Sequence, residues 1–334
     1  MRMNKRLTLK EIAAEAGISL TAASMYLNGK AKQFKLSDAT CERIGKVMRK
    51  HNFTPNLHAR AIASKKTFLA GVLISDNIAN SFWLKILSAL EDALSERGYH
   101  LLLSVTKQDP ERQKKALRFM ENQGVDGIIA APVGGTADEI RKFARKHPLV
   151  TLNSKIEGVS CAWNDDYAGG HAAMEGVLKA GHTKIAYVGA SGPGSLRSRA
   201  YDELTRKNGR TPAYFPDAES FLKKRKNFTA AICHTDYIAL ALYQRANALK
   251  CIIPDDLAVV GYDNMDFVNL LSPVPPTVNQ YKEELGKAAA SLLLEVIEKK
   301  NSGVLETRFE PYLVHAENLL PRNGRNIPRR RKAV

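Results

Sequence analysis

Two periodicities divide this 334-residue chain. Up to about residue 50, apolar side chains recur at helical spacings of three and four. From Phe68 onward, short continuous apolar runs alternate with amphipathic stretches. In the first region Thr8 stands before an apolar run with Glu11 three residues on, the pattern of a capping box and a helix start. Leu9, Ile12, Ala13 and Ala16 give that helix one apolar face, and Gly17 is placed to end it. Ser19 is a candidate N-cap for a second short helix over 20–27, with Ala23 and Leu27 inward and Asn28-Gly29 as its stop. A third helix is predicted from Ser37, with Cys41, Ile44, Val47 and Met48 inside and Leu36 as a staple. Two short helices joined by a tight glycine turn form a helix-turn-helix unit, whose second helix lies in the DNA major groove.

The second region predicts strands over 68–74, 99–105, 127–131 and 149–152, with helices over 82–97, 111–123 and 137–146 between them. The cycle repeats with a helix over 167–180, a strand over 184–189 and a helix near 195–207. A strand over 229–233, a helix over 237–249 and a strand over 258–262 complete it. Between them, 204–228 carries one brief strand near Tyr214 and a Lys-rich helix over 218–226. Continuous apolar strands alternating with helices mean parallel sheets covered on both faces. Two runs of this kind predict two doubly wound lobes, with ligands bound outside the carboxyl ends of the strands. The fold class expected is therefore an N-terminal all-α helix-turn-helix head followed by an α/β body of two parallel-sheet lobes. The expected domains are a head over 1–53, a hinge helix or linker over 54–66, a body over 67–321 and a disordered basic tail over 322–334.

Charge sharpens this picture. The first sixty-six residues hold fourteen Lys/Arg against four Asp/Glu, and 322–334 add six basic and no acidic side chains. The formal charge of +16 therefore sits at the two ends of the chain, around a neutral body. A small basic module on a neutral globular body reads as a nucleic-acid-binding head on a sensor or catalytic body. In 54–66, Pro55 can open a short basic helix that folds only on DNA. There Arg60 and Lys65-Lys66 would lie near phosphates and Ile62 would wedge into the minor groove. A simple linker is the other reading of the same composition.

Enzymatic and export readings fare worse. The four cysteines (Cys41, Cys161, Cys233, Cys251) have no CxxC spacing, and the basic N-terminus leads into no apolar signal core. No apolar run approaches a membrane span. A cytoplasmic protein with reduced thiols, and without membrane partners, is expected. The stretch Gly189-Ala190-Ser191-Gly192-Pro193-Gly194-Ser195 lacks the GK[ST] of a P-loop and the GxGxxG spacing. His171 and Glu175 lie one helical turn apart without an HExxH or a third ligand, and no Gly-x-Ser-x-Gly elbow is present. Neither an enzyme nor a cofactor or metal is expected.

Taken together, the residues resemble the LacI/GalR family of transcriptional regulators over nearly the full length. Thr8-Leu9-Lys10-Glu11-Ile12-Ala13, Ala16-Gly17-Ile18-Ser19 and Leu27-Asn28-Gly29 match the family's opening motif, and Pro55-Asn56 with Ala59-Arg60 its hinge helix. Gly181-His182, Ile185-Ala186 and the run 254–263 match two body motifs. The resemblance implies a homodimer on a palindromic double-stranded DNA operator. It also implies a periplasmic-binding-protein-like body that takes a small effector, a sugar or nucleobase derivative. An effector-independent regulator with a degenerate cleft is the alternative. A solute-binding protein of transport shares the lobed fold, but the basic head argues against it. With no C-terminal leucine heptad, a dimer is favoured over a tetramer.

On the DNA side the resemblance points to Thr8, Ser19, Leu20, Thr21, Ala22, Ser24, Met25, Asn28, Asn56, Arg60 and Ile62. Met25 stands where the family usually has an Arg. Methionine cannot make the bidentate contact to guanine, so readout shifts toward thymine methyls or DNA shape. Residues 31–36 form a longer, more basic loop than usual. On the effector side it points to Asn77, Phe82, Trp83, Asn153, Arg199, Thr235, Asp236, Asp263 and Gln280. Asp263, at a strand's carboxyl end, is the leading candidate, because an acid there can accept bonds from two vicinal hydroxyls. The segment 204–228 is shorter than the family norm, which implies a smaller or altered pocket.

Overall fold

The computed structural model describes residues 7–27, 31–51, 53, 66–189, 194–298 and 303–320. The chain divides at Phe68/Leu69 into two compact units. The first contains helices α1 (Leu9–Glu15), α2 (Leu20–Leu27) and α3 (Asp38–Lys50). The capping box forms as its residues require. The Thr8 amide donates to Glu11 Oε2 at 2.6 Å, and the Glu11 amide to Thr8 Oγ1 at 3.3 Å. Gly17 takes φ +63, a left-handed turn that suits glycine, and Ser19 Oγ accepts the Ala22 amide at 3.1 Å to start α2. Ser37 caps α3 through the Thr40 amide. Ile12, Ala13, Ala16, Ala23 and Ile44 form the small core. Glu15 ties α1 to the end of α3 through Lys50 and His51, each at 2.7 Å, and Lys50 leads in lowering its pKa.

The second unit holds two six-stranded sheets. The first is ordered β11-β5-β4-β3-β1-β2 and the second β12-β10-β9-β8-β6-β7. Their strands are β1 (Leu69–Ile74), β2 (His100–Val105), β3 (Gly127–Ala130), β4 (Leu149–Leu152), β5 (Ser160–Asn164), β6 (Ile185–Val188), β7 (Tyr214–Phe215), β8 (Ala230–Cys233), β9 (Ala258–Asp263), β10 (Thr277–Asn279), β11 (Glu306–Phe309) and β12 (Tyr312–Val314). The first sheet is parallel throughout, in registers such as Val72↔Ile129 and Thr151↔Cys161. In the second, only the edge strand β12 runs antiparallel. β3, β4, β6, β8 and β9 are buried at every position, which is why they read as unbroken apolar runs.

The helices are α4 (Ser81–Ser95), α5 (Pro110–Asn122), α6 (Ala137–Ala144), α7 (Asp166–Lys179), α8 (Leu196–Lys207), α9 (Ala218–Leu222), α10 (Asp236–Ala248) and α11 (Lys282–Glu298). The Lys-rich helix expected over 218–226 is shorter. α9 stops at Leu222, and a separate 3-10 turn covers Arg225–Asn227.

The lobes are not two consecutive runs. The chain crosses between sheets three times, after β5, after β10 and between β11 and β12. α11 packs against α4 and the β3–β5 side of the first sheet, although it follows the strands of the second. Close approach needs glycine at two helix contacts. A methyl at Gly286 would meet the Ile86 carbonyl, and one at Gly170 of α7 would meet the backbone of Arg197 on α8.

Because backbone cannot give way at Gly170, Gly170→Ala is expected to lower stability by about 1–3 kcal/mol. Thermal denaturation compared with Ala172→Gly, a change that creates space on the same helix, checks this. Equal melting points for the wild type and Gly170→Ala would contradict the close-approach account.

Candidate functional site

In the head, α2 buries Ala23 and turns its first residues outward, with Leu20 51% exposed and Thr21 exposed. Ala22, Ser24 and Met25 are half-buried. Ser19 spends its hydroxyl on the Ala22 amide, and Thr8 engages Glu11. The start of α2 therefore offers a branched apolar side chain and a small hydroxyl, groups suited to thymine methyls. Asn28, Asn56, Arg60 and Ile62 lie outside the described residues, as do most of the hinge segment and the tail beyond Leu320.

In the body, the polar side chains gather at the carboxyl ends of the strands. Asp263 ends β9 with φ +107 and is buried, and its Oδ1 accepts Gln280 Nε2 at 2.6 Å. The partner that sequence reading missed is Arg197, in the first turn of α8. Its Nε donates to Asp166 Oδ1 at 3.1 Å, and its Nη1 to the His234 carbonyl at 2.9 Å and Asp263 Oδ1 at 3.3 Å. The guanidinium stacks over the Tyr262 ring, 3.7 Å from its centroid, and the Tyr262 hydroxyl donates to the same Asp166 oxygen at 3.1 Å. Lys282, the first residue of α11, is buried and donates to the backbone carbonyls of Asp263 and Asn264. A residue of the first lobe thereby grips the turn that carries the acid of the second.

Electrostatics follow from burial and pairing. Burial pushes the Asp263 carboxyl up to about 6 against the pull of Arg197. Burial works against the charge on Arg197, but Asp166 and Asp263 outweigh it and hold its pKa above the ordinary value. Burial, with Arg197 nearby, lowers His234 to about 4, and its Nδ1 is hydrogen-bonded to the Tyr187 hydroxyl at 2.7 Å.

Several candidates do not join this cluster. Arg199 sits two residues from Arg197, 200° around the helix. It is 64% exposed, paired with Glu203 at 2.9 Å and set over Tyr167. Asp236 is wholly buried and spends both oxygens internally, on the Met265 amide at 2.7 Å and Thr277 Oγ1 at 2.6 Å. Its role is to hold the β9–β10 region together, not to face a ligand. Phe82 and Trp83 are both buried at the start of α4, with rings perpendicular at 5.3 Å. Asn77 is exposed and caps a local turn through the Ala79 amide, and Asn153 Oδ1 accepts Asn164 Nδ2 at 3.1 Å. Thr235 stays half-buried beside His234. His171 and Glu175 form a surface pair at 3.7 Å. Among the described residues no group of His, Cys, Asp and Glu is arranged to hold a metal ion, and no helix is long and apolar enough to cross a membrane.

A helix-turn-helix head joined to a two-lobed body with a polar cluster at its strand ends defines a DNA-binding regulator with a periplasmic-binding-protein-like domain. Residues 8–56 match the domain described as bacterial regulatory proteins, lacI family, and residues 175–315 match the periplasmic binding protein-like domain. The chain is similar to the HTH-type transcriptional repressor PurR of Vibrio atlanticus (strain LGP32), at 27% identity over 92% of this chain and 97% of the relative. It is also similar to the sucrose operon repressor of Pediococcus pentosaceus, at 28% identity over 90% and 95%. A crystal structure of the lac repressor dimer bound to operator and the anti-inducer ONPF shares the fold, with a TM-score of 0.81 at 22% identity over 95% and 100% of the two chains. The chain belongs to the LacI family of bacterial regulatory proteins, which are DNA-binding transcriptional repressors and not enzymes.

The displaced acid Asp236 yields a pH signature. Burial raises its pKa from 3.8 to about 7, against hydrogen bonds from Thr277 and Met265. Between those values the folded state binds more protons than the unfolded chain, so this group's contribution to stability falls as pH rises from about 4 to 7. Asp236→Asn removes the titration. The stability of the wild type relative to Asp236→Asn is therefore expected to decline across that range. A difference independent of pH in parallel urea titrations would refute the assignment.

Proposed function

We propose that this protein is a cytoplasmic transcriptional repressor that binds a palindromic operator as a homodimer, with DNA affinity set by a small sugar-type effector in the cleft between its lobes. The observation that carries the DNA side is the outward-facing Leu20-Thr21 pair at the start of α2, on a unit with a large excess of basic residues. In this reading 1–53 is the DNA-reading head, 54–66 a hinge, 67–321 the sensing and dimerising body and 322–334 an accessory basic tail. Ser19, Ser24, Asn28, Asn56 and Arg60 contact the DNA backbone or groove, and Ile62 wedges into the minor groove.

The effector side rests on adjacent acceptors. Asp263 keeps one carboxylate oxygen beyond its bonds to Gln280 and Arg197, and Gln280 Oε1 is buried without a hydrogen-bond partner. A vicinal diol donates two hydrogens and suits such a pair. Effector binding changes the angle between lobes and so biases the spacing of the two hinges, which is coupling through differential affinity for two states. The Arg197–Asp263 contact favours a second reading, because it gives the acid an internal cation in place of a ligand. In that case DNA binding ignores small molecules.

Dimerisation is assigned to the second lobe. Tyr243, Ile252, Ile253, Leu270, Leu271 and Pro273 line a surface groove of about 540 Å³, and Leu270 is 85% exposed. Leu270→Asp is expected to convert dimer to monomer in analytical ultracentrifugation without loss of secondary structure; an unchanged dimer would move the interface elsewhere.

In-vitro selection of DNA sites by the full-length protein tests the central reading. The expected product is a two-fold symmetric site with half-sites roughly 34 Å apart. Met25→Arg is expected to bring guanine into each half-site, with a preference worth about 1–3 kcal/mol. Enrichment of asymmetric or random sequences would reject the operator model. Sugars that release the selected DNA would separate the effector reading from its alternative.

A further inference from the structure

A groove of about 430 Å³ lies between α5 and α6 on the first lobe and shares no residue with the cleft cluster or the Leu270 surface. One wall is the stripe Lys114, Leu117, Arg118 and Glu121, at the spacings of three and four that place side chains on one face of α5. Glu139, Lys142 and Phe143 form the facing stripe on α6, and Arg145, Lys146 and His147 follow just past its end. Buried Leu117 and half-buried Phe143, which both pack on the core of this lobe, make the floor. His147 joins the walls where the two helices end, with Nε2 3.1 Å from Glu121 Oε1 and its ring stacked on Phe143 at 4.4 Å.

The charge of this groove is unbalanced in a body that is neutral overall, with thirty basic and thirty acidic residues over 67–321. Lys114 and Arg118 on one wall and Lys142, Arg145 and Lys146 on the other outnumber Glu121 and Glu139. Outside the groove the same two helices do pair their cations, Arg112 with Asp109 at 3.6 Å and Arg141 with Asp138. Among the described residues no carboxylate pairs with the five cations inside it. Arg145 and Lys146 suit the carboxyl end of α6, whose dipole favours positive charge. Lys114 and Arg118 stand away from the carboxyl end of α5 and gain nothing of that kind. Their unmet charge calls for an anionic partner from outside the chain.

An apolar floor between two cationic helical walls fits one kind of partner. We propose that this groove docks an acidic amphipathic helix of a second protein. The helix lays its apolar stripe on Leu117 and Phe143, and carboxylates on both flanks of that stripe meet the two walls. Nucleic acid fits the groove less well, because phosphates would meet Glu121 and Glu139 on the two walls and cannot cover an apolar floor. The surface is independent of the inter-lobe cleft and of the head, so the first lobe can engage a protein whether or not a small effector is bound.

The probe is a fluorescein-labelled peptide of about sixteen residues, long enough for a marginal helix, with leucines on one stripe, glutamates on its flanks and alanines behind. Anisotropy titration with the full-length protein is expected to give saturable binding with a dissociation constant on the order of 10–500 μM. Arg118→Glu and Lys142→Glu, one on each wall at exposed positions, are each expected to weaken it about threefold to tenfold. Lys115→Glu makes the same charge change on the outer face of α5 and is expected to leave the affinity within about twofold of the wild type. That comparison separates the groove from general attraction to the basic head and tail, and circular dichroism checks that each variant is folded. A peptide with glutamine in place of leucine is expected not to bind. Absence of saturable binding by the leucine peptide would overturn the proposal, as would equal affinity for the glutamine peptide. So would losses no larger for Arg118→Glu and Lys142→Glu than for Lys115→Glu, or a thymidylate oligonucleotide whose affinity, in place of the peptide's, depends on Arg118 and Lys142.

Discussion

The buried guanidinium of Arg197 imposes the strictest physical demand on the body. An arginine side chain only 11% exposed is tolerable when its charge is neutralised and its donors are placed. Asp166 at the start of α7, Asp263 at the end of β9, the His234 carbonyl after β8 and the Tyr262 ring each supply part of that compensation. Three separate segments of the second lobe, the start of α7, the turn after β8 and the end of β9, thus converge on one side chain. The glycines of α7 make the convergence possible, since a side chain at Gly169 would strike the Tyr262 hydroxyl and one at Gly170 the Arg197 backbone. In the reading proposed above, the same cluster also receives the effector, so the lobe's integrity and that recognition chemistry would draw on one set of charges.

This sharing explains the tension in the cleft. An acid fully committed to an internal cation leaves little for a ligand, while an acid with spare acceptor capacity can take one. Asp263 lies between these limits, with one oxygen shared by Arg197 and Gln280 and a pKa held near 6 by burial. Lys282 adds a mechanical link, because an ammonium from α11 grips the backbone on which Asp263 is mounted. A change in lobe angle and a change in the environment of the acid are therefore coupled through a few bonds.

Much of this was legible in the sequence. The capping box at Thr8 and Glu11, the Gly17 turn and the long buried strands appear where local chemistry dictates, because each is decided within a few residues. Legibility failed where a decision is made by tertiary partners. β5, β10, β11 and β12 escape prediction because none is an unbroken apolar run: Ser160 and Asn164 bound β5, Asn279 ends β10, and β11 and β12 are partly exposed along their length. Arg199 carried the resemblance, but the spacing Arg197, Tyr201, Thr205 marks the inner face of α8 and Arg199 falls with Glu203 on the outer one. That periodicity was present in the residues and could have marked Arg197 as the inward-facing arginine. Asp236, Phe82 and Trp83 match family cleft positions, yet bonds to Thr277 and Met265 and close ring packing draw them inside.

The three crossings between sheets have a further consequence for how the molecule comes into being. The first sheet lacks its edge strand until residue 309 has been made, and the second lacks its own until residue 314. Neither lobe corresponds to a stretch of gene that can be cut out, duplicated or exchanged without leaving a ragged sheet behind. During synthesis, α4 waits exposed for α11, which emerges almost two hundred residues later. Both lobes therefore close at nearly the same moment, once residues 306–314 have left the ribosome. A chain cut before residue 306 forfeits the edge of both sheets together.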